Sequence, residues 1–250
     1  MHNASILPET NVAGGPYDDA FFAAAEQGML RSAAAAVPHI IDIVEPRSVV
    51  DVGCGRGAWL SIFQAHGVER LLGIDGPYVD RRKLFIPPAC FSVADLAKPF
   101  TIPGRFDLAI CLEVGEHLPP HSAASLIGSV TDAAPVVLFS AAVPGQGGTH
   151  HINEQWPGYW QSLFARRGYA CLDAIRPRIW DDRRVEWWYR QNLFIFVAEA
   201  ELGRWPHLSA AAAPAGDLQF VHADILAEFQ SIRGLLRQLA GAIRRRVRRG

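Results

Sequence analysis

The sequence predicts an α/β fold: a mostly parallel, doubly wound sheet with an antiparallel last strand, plus a C-terminal helix. Three observations support this class. Short apolar runs alternate with segments of helical periodicity between residues 48 and 141, as in a parallel sheet with helices on both faces. The first run leads into a glycine-rich turn, and later runs end in acidic residues. Half of the 250 residues are hydrophobic, which is enough for a large core.

The predicted elements follow one another in a regular order. Residues 1–47 should form an N-terminal helical region, with an alanine-rich helix at 17–36. Core strands are expected at 48–52, 70–75, 90–94, 106–112 and 135–141, with helices at 57–66 and 120–133. A polar, glycine-rich loop at 144–157 precedes a helix at 158–167. Strands 169–175 and 192–199 should close the sheet as an antiparallel pair, separated by an aromatic insert at 176–189.

The glycine-rich turn after the first strand reads Asp-Val-Gly-Cys-Gly-Arg-Gly-Ala-Trp over residues 51–59. A strand that breaks into glycines and then a helix presents backbone N–H groups to a nucleotide. Glycine is needed there because a Cβ would hold the ligand off and because such turns often need positive φ. A dinucleotide fingerprint also fits Gly53, Gly55 and Ala58. Two features argue against a dinucleotide site. A pyrophosphate does not require the carboxylate of Asp51, and the closely spaced glycines up to Gly57 make a wider floor than a pyrophosphate needs.

The segment acidic-x-Gly-x-Gly-x-Gly resembles the first motif of the class I S-adenosylmethionine (SAM) dependent methyltransferases. The resemblance implies a Rossmann-like fold, SAM as cofactor, and an N-terminal helix that acts either as a lid over the cofactor or as ordinary packing. It implies that Asp75 holds the ribose, a role that a carboxylate at a strand end also suits chemically. It places the adenine at Asp95 and the backbone N–H of Leu96, and the methionine part near Glu113. The floor of the site would then consist of Asp51, Gly53, Gly55 and Gly57.

Histidines in two segments can reach the carboxyl ends of the strands, where the reacting groups of doubly wound sheets gather. Methyl transfer to an oxygen needs a base for the hydroxyl proton, and histidine suits that task near neutral pH. His151 is the first candidate, His150 the second and His117 the third. His117 has the alternative of bracing the cofactor loop, and one histidine of the adjacent pair is expected to face solvent.

A metal ligand set is less clearly marked. Zinc is not expected, since two adjacent histidines without a third ligand make a poor tetrahedral set. Some sugar methyltransferases use Mg²⁺, for which Glu113, Glu116 and Asp182 are candidate oxygen ligands.

The acceptor side is expected to be aromatic and polar. Aromatic planes beside polar groups suit a ligand with C–H faces and many hydroxyls, such as a sugar, although tryptophans packed beneath the last strands explain part of the cluster. The segment 147–157 also resembles bacterial sugar and polysaccharide O-methyltransferases. Alternatives are a non-sugar small metabolite as acceptor, or a catalytically silent SAM-binding scaffold subunit. The candidate acceptor-binding residues are Asn153, Glu154, Trp156, Trp160, Trp188 and Tyr189.

The C-terminal part differs from the methyltransferase domain predicted at 1–208. A linker at 209–216 leads to a basic amphipathic helix at 217–250, whose apolar residues from Ile225 to Ile243 repeat at heptad-like spacing. Seven arginines and no acidic residue follow position 232, so this segment has a charge of +7. Since the net charge of the whole chain is −1, the rest of the chain carries −8. The helix either packs on its own domain, forms a homodimer, or contacts an anionic membrane surface or acidic partner.

Composition excludes other classes. The chain before the arginine-rich C-terminal segment is acidic and has no row of basic residues that could follow a phosphate backbone, so nucleic acid is not expected as a partner. The four cysteines form no C-x-x-C pair and are expected as buried free thiols. Neither a signal peptide nor an apolar run of membrane-spanning length is apparent, so we expect a cytoplasmic protein.

Overall fold

The computed structural model describes residues 19–206 and 221–224, with side-chain surroundings from residue 26 onward. Its centre is a seven-stranded sheet in the order β3-β2-β1-β4-β5-β7-β6. The first five strands of this order are parallel, and β7 is antiparallel to both of its neighbours. The strands are β1 (Ser48–Val52), β2 (Arg70–Asp75), β3 (Phe91–Val93), β4 (Leu108–Leu112), β5 (Val136–Ser140), β6 (Tyr169–Leu172) and β7 (Phe194–Ala198). The predicted Rossmann-like class, including the antiparallel end, is confirmed.

Helices cover both faces of the sheet. One apolar layer joins α1, α2, α5 and α6 to the sheet, and the other joins α3 and α4 to the opposite face. Strands β1, β4 and β5 are buried along their whole length, which is why they read as continuous apolar runs rather than as alternating ones. The helices are α1 (Asp19–Val44), α2 (Ala58–Ala65), α3 (Ala123–Ala133), α4 (Pro157–Ala165), α5 (Arg176–Ile179) and α6 (Trp187–Asn192).

Helix α1 is longer than the sequence pattern predicted. It continues past Ala36 because Val37, Ile40 and Val44 prolong its buried stripe at helical spacing. The helix packs along α2, and its Glu26 pairs with Arg56 in the glycine-rich turn. Helix α1 is therefore anchored beside the predicted cofactor turn, and its role as a lid stays a prediction.

The aromatic insert forms α5 and α6 and is tied to α1. Arg31 pairs with Glu186 at 2.9 Å, and the backbone N–H of Glu186 donates to the Ser32 hydroxyl. The insert thus belongs to the core rather than to a separate surface lobe.

Four residues of the C-terminal part are described, and two of them contact α6. His222 is buried, its backbone N–H donates to the Gln191 side chain, and Asp224 pairs with the buried guanidinium of Arg190. The predicted linker at 209–216 and the seam from Ile225 onward lie outside the described residues, and so do the dimer and membrane contacts predicted for them. Within the described chain, no helix is long and apolar enough to cross a membrane.

Candidate active site

The glycine-rich turn joins the carboxyl end of β1 to α2, at the point where strand order reverses between β1 and β4. Gly53, Gly55 and Gly57 all have positive φ, at 82°, 53° and 82°. A Cβ on Gly53 would lie 2.2 Å from Val114 Cγ2, and one on Gly57 would lie 2.9 Å from Ile86 Cγ1. A Cβ on Gly55 would meet nothing within 4 Å. Packing therefore demands two of the glycines, whereas Gly55 borders open space that suits a ligand.

Asp75 ends β2 beside this turn and braces it. One carboxylate oxygen accepts from the Gly55 N–H at 2.6 Å, and the other accepts from the Gly76 N–H at 2.6 Å. The hydroxyl of the exposed Tyr78 also donates to this carboxylate. A phenol hydroxyl thus makes the contact that a ribose hydroxyl is expected to make.

The remaining predicted cofactor residues lie along the same edge of the sheet. Asp51 is buried in β1, where burial, and then the charge of Asp75, raises its pKa well above the usual range. Asp95 follows β3 on the surface and pairs with Lys98 at 3.0 Å, and Leu96 beside it is buried. Because β3, β2, β1 and β4 are adjacent, these strand ends stand side by side in the predicted order.

Glu113 follows β4 with a left-handed backbone, at φ 53°. Its carboxylate accepts from Gln146 Nε2 at 3.0 Å and from Asn192 Nδ2 at 3.3 Å. Burial raises the pKa of Glu113, although these hydrogen bonds partly oppose the effect. The two amide partners were missed from the sequence, because they reach Glu113 only through the fold. The sequence feature that could have pointed to Gln146 and Asn192 is that both are polar residues in segments next to strand ends.

A second group of side chains lies where the turn after β4 meets the loop after β5. The backbone N–H groups of Ile152 and Asn153 donate to the carbonyl of Glu116, at 2.8 and 3.0 Å. This places the ring of His151 edge-on to that of His117, with centroids 4.8 Å apart. Two of the three predicted catalytic histidines are therefore brought together.

Each of these two histidines is held by a further partner. His151 Nδ1 lies 3.0 Å from Glu154 Oε1. Burial alone would raise the pKa of Glu154, but hydrogen bonds from His151 and from two backbone N–H groups lower it overall. His117 hydrogen-bonds the backbone of His150, and burial, followed by the charge of His151, lowers its pKa. His150 itself is exposed, with φ 59°, and contributes its backbone alone to this contact.

The predicted acceptor residues take three different places. Trp160 and Tyr189 are core residues, 2% and 3% exposed, so the structure assigns them to packing instead of acceptor contact. Trp160 packs beneath Gly115, whose Cβ would lie 2.5 Å from its ring, and Tyr189 packs edge-on against Trp59.

Trp188 is partly buried against the same core. Asn153 is buried and braces the turn through a 3.2 Å hydrogen bond to the Gly115 carbonyl. Of the predicted aromatic surface, Trp156 is exposed, together with the neighbouring Ile152.

The predicted Mg²⁺ ligand set is not assembled. Asp182 pairs instead with Arg184, whose hydrogen bonds lower the pKa of this carboxyl to about 2. In the described chain, the residues that can jointly hold a metal are Glu116, His117 and His151. The expectation against zinc assumed that the adjacent histidines had no third ligand, whereas His151 lies beside His117 and the carboxylate of Glu116 rather than pairing with His150.

This fold and this glycine turn, with acidic residues at successive strand ends, define a class I SAM-dependent methyltransferase. The chain belongs to a methyltransferase-domain family, whose model matches residues 25–210.

Solved structures agree on the fold. DesVI of Streptomyces venezuelae has a TM-score of 0.55 and 14% identity, over 72% of this chain and 95% of that one. An O-methyltransferase family protein from Burkholderia thailandensis has a TM-score of 0.51 and 12% identity, over 71% of this chain and 57% of that one. At these identities the likeness is one of fold alone. A comparison with curated proteins finds no match.

Proposed function

We propose that the protein transfers a methyl group from SAM to a hydroxyl oxygen of a small acceptor, with a sugar or glycan-like molecule as the favoured class. The observation that carries the proposal is the pair formed by His151 and Glu154, in a loop that follows β5 at the same sheet edge as the glycine turn. Such a pair suits proton removal from a hydroxyl.

The described residues fit the cofactor. The space at Gly55 would admit it, and Asp75 can exchange its contact with Tyr78 for a ribose hydroxyl. When bound, SAM supplies the methyl carbon to the acceptor oxygen, and the electrons of the broken carbon–sulfur bond stay on sulfur. The residues that would hold it are Asp51, Gly53, Gly55, Gly57, Asp75, Asp95, Leu96 and Glu113.

His151 is the proposed general base for the hydroxyl proton. Glu154 occupies its Nδ1, which leaves Nε2 as the acceptor nitrogen. Nε2 faces Gly148, where a Cβ would come within 2.2 Å of it. Glycine is therefore required at this position, because a side chain there would displace the His151 ring.

The preference for a sugar-like acceptor rests on the exposed apolar surfaces of Ile152 and Trp156, which are 59% and 37% exposed in a polar loop. A non-sugar metabolite is the alternative acceptor, and a silent SAM-binding scaffold is the alternative class. The absence of methyl transfer to any hydroxyl, with SAM bound, would favour the scaffold.

The test is a screen of glycans and hydroxylated metabolites with SAM that carries a labelled methyl group. With an acceptor in hand, His151→Ala should lower kcat about 10²–10⁴-fold and leave SAM affinity unchanged, the usual contribution of a general base. His150→Ala should retain activity, since that side chain is exposed. The reverse result would move the role to His150, and unaltered rates in both variants would remove the loop from the chemistry.

A further inference from the structure

Three metal-binding side chains converge where the turn after β4 meets the loop after β5. A carboxylate oxygen of Glu116 and one ring nitrogen each of His117 and His151 all lie within 4.8 Å of one another. Two imidazoles and one carboxylate leave coordination positions open for other ligands.

Glu116 is the member of this group that most needs a partner. Its side chain is fully buried, and neither carboxylate oxygen has a hydrogen-bond partner among the described residues. The backbone N–H groups of Glu116 and Ala142 are directed toward it without reaching hydrogen-bond geometry. A buried carboxylate without partners is costly, so such a group is usually paired or bound to a metal.

A second carboxylate close to Glu116 increases the need for a positive charge at this place. Glu113 lies close enough to Glu116 for the two negative charges to repel each other. Its own partners are the neutral amides of Gln146 and Asn192. In the described part of the chain, neither carboxylate forms a salt bridge. A divalent cation beside Glu116 would supply the missing charge.

Both histidines also have the outer partners that metal-binding imidazoles require. His151 is held at Nδ1 by the Glu154 carboxylate, and His117 by the backbone of His150. Partners of this kind fix the tautomer and the ring orientation, and leave the second nitrogen free for an ion. Part of the His117 ring is buried, but the residue as a whole is exposed, so an ion can enter from the surface.

We propose that Glu116, His117 and His151 bind one divalent transition-metal ion, of the Mn²⁺ or Zn²⁺ type, on the acceptor side of the site. Two imidazole nitrogens favour such ions over Mg²⁺, which prefers oxygen ligands. The role of the ion rests on the proposed function: an acceptor hydroxyl at an open position would lose its proton to solvent more readily. With the ion bound, His151 is a ligand, and the ion replaces it as the group that promotes deprotonation.

The first test is direct binding to the full-length protein stripped with a chelator. Calorimetry with Mn²⁺ and with Zn²⁺ should show one site per chain, and bound Mn²⁺ should lose its free-ion electron paramagnetic resonance signal. Mg²⁺ should bind at least about tenfold more weakly than Mn²⁺. Absence of a stoichiometric site for both transition ions would overturn the proposal.

Variants locate the ion. Glu116→Gln should weaken binding at least about tenfold, and Glu154→Gln should do so by about 10–100-fold through loss of the outer partner. His66→Ala is the matched control, because this exposed histidine at the end of α2 lies away from the group. SAM affinity and circular dichroism verify folding. Wild-type ion affinity in Glu116→Gln would place the ion elsewhere and contradict the proposal.

The two proposals fail in different ways. Full hydroxyl methylation in the presence of chelator, with no ion in the protein, would refute the metal site and leave the methyl transfer standing. A stoichiometric ion lost in Glu116→Gln, without methylation of any hydroxyl, would refute the transfer and leave the metal site standing.

Discussion

The glycine-rich turn allows a sharp test, because two glycines with similar backbones have opposite surroundings. Gly53→Ala places a Cβ 2.2 Å from Val114 Cγ2 at φ 82°. The left-handed backbone costs about 1–2 kcal/mol for a residue with a Cβ, and the overpacking adds about 1–3 kcal/mol. The free energy of unfolding should therefore fall by about 2–5 kcal/mol.

Gly55→Ala carries the backbone cost alone, since its Cβ meets nothing within 4 Å at φ 53°. It should lose about 1–2 kcal/mol of stability but occupy the space assigned to the cofactor. SAM affinity should fall more than tenfold in this variant, and Gly55→Val should abolish binding. Urea unfolding measures the stability of each variant, and calorimetry measures SAM and NAD binding.

Two results would refute this reasoning. Wild-type SAM affinity in Gly55→Ala would show that the open space is not the cofactor site, and NAD binding without SAM binding would assign the turn to the wrong cofactor. In the other variant, Val114→Ala should recover part of the stability lost in Gly53→Ala, because it removes the atom in the clash. Simple additivity of the two changes would contradict the steric explanation.

Three other predictions concern neighbouring features. Tyr78→Phe removes a hydroxyl that competes for Asp75, so the Kd for SAM should fall by up to about tenfold, the worth of one hydrogen bond; calorimetry that shows weaker binding would contradict this. Burial, and then the charge of Asp75, raises the pKa of Asp51, so folded Asp51 keeps its proton above the usual carboxyl range while the unfolded chain releases it. The stability of the folded protein therefore falls as pH rises through that window. Asp51→Asn should therefore melt higher than wild type at pH 7 and lose this advantage near pH 4; equal melting temperatures at pH 7 would refute it. Truncation after Ala215 removes the charge partner of the buried Arg190, which should lower Tm by several degrees with SAM binding retained; an unchanged Tm would contradict the packing of residues 221–224.

The strands and the glycine turn could be predicted from the sequence because their causes are local. A parallel strand buried on both faces must be apolar throughout, as the Val49 and Val50 segment of β1 is. Positive φ at three nearby positions favours glycine, so the conformation of the turn leaves a visible pattern in the sequence. The order in which the strand ends lie side by side then follows from the usual topology of a doubly wound parallel sheet.

The composition of the histidine group could not be predicted in this way. His150 and His151 are equivalent in sequence, and a left-handed backbone at His150 decides which one joins His117. Hydrogen bonds between residues far apart in the chain, such as Asn153 to Gly115, hold that choice. Trp160 likewise lies within α4, on its buried face, whereas Trp156 precedes the helix and is exposed.

Helix α6 links two distant parts of the molecule through consecutive residues. Arg190 and Gln191 hold the segment at 221–224, and the next residue, Asn192, donates to the carboxylate of Glu113. The contacts that hold residues 221–224 and the contact that holds Glu113 therefore come from three consecutive residues of one helix. We expect a change in the packing of residues 221–224, such as an attachment beyond Asp224, to shift the contact made to Glu113.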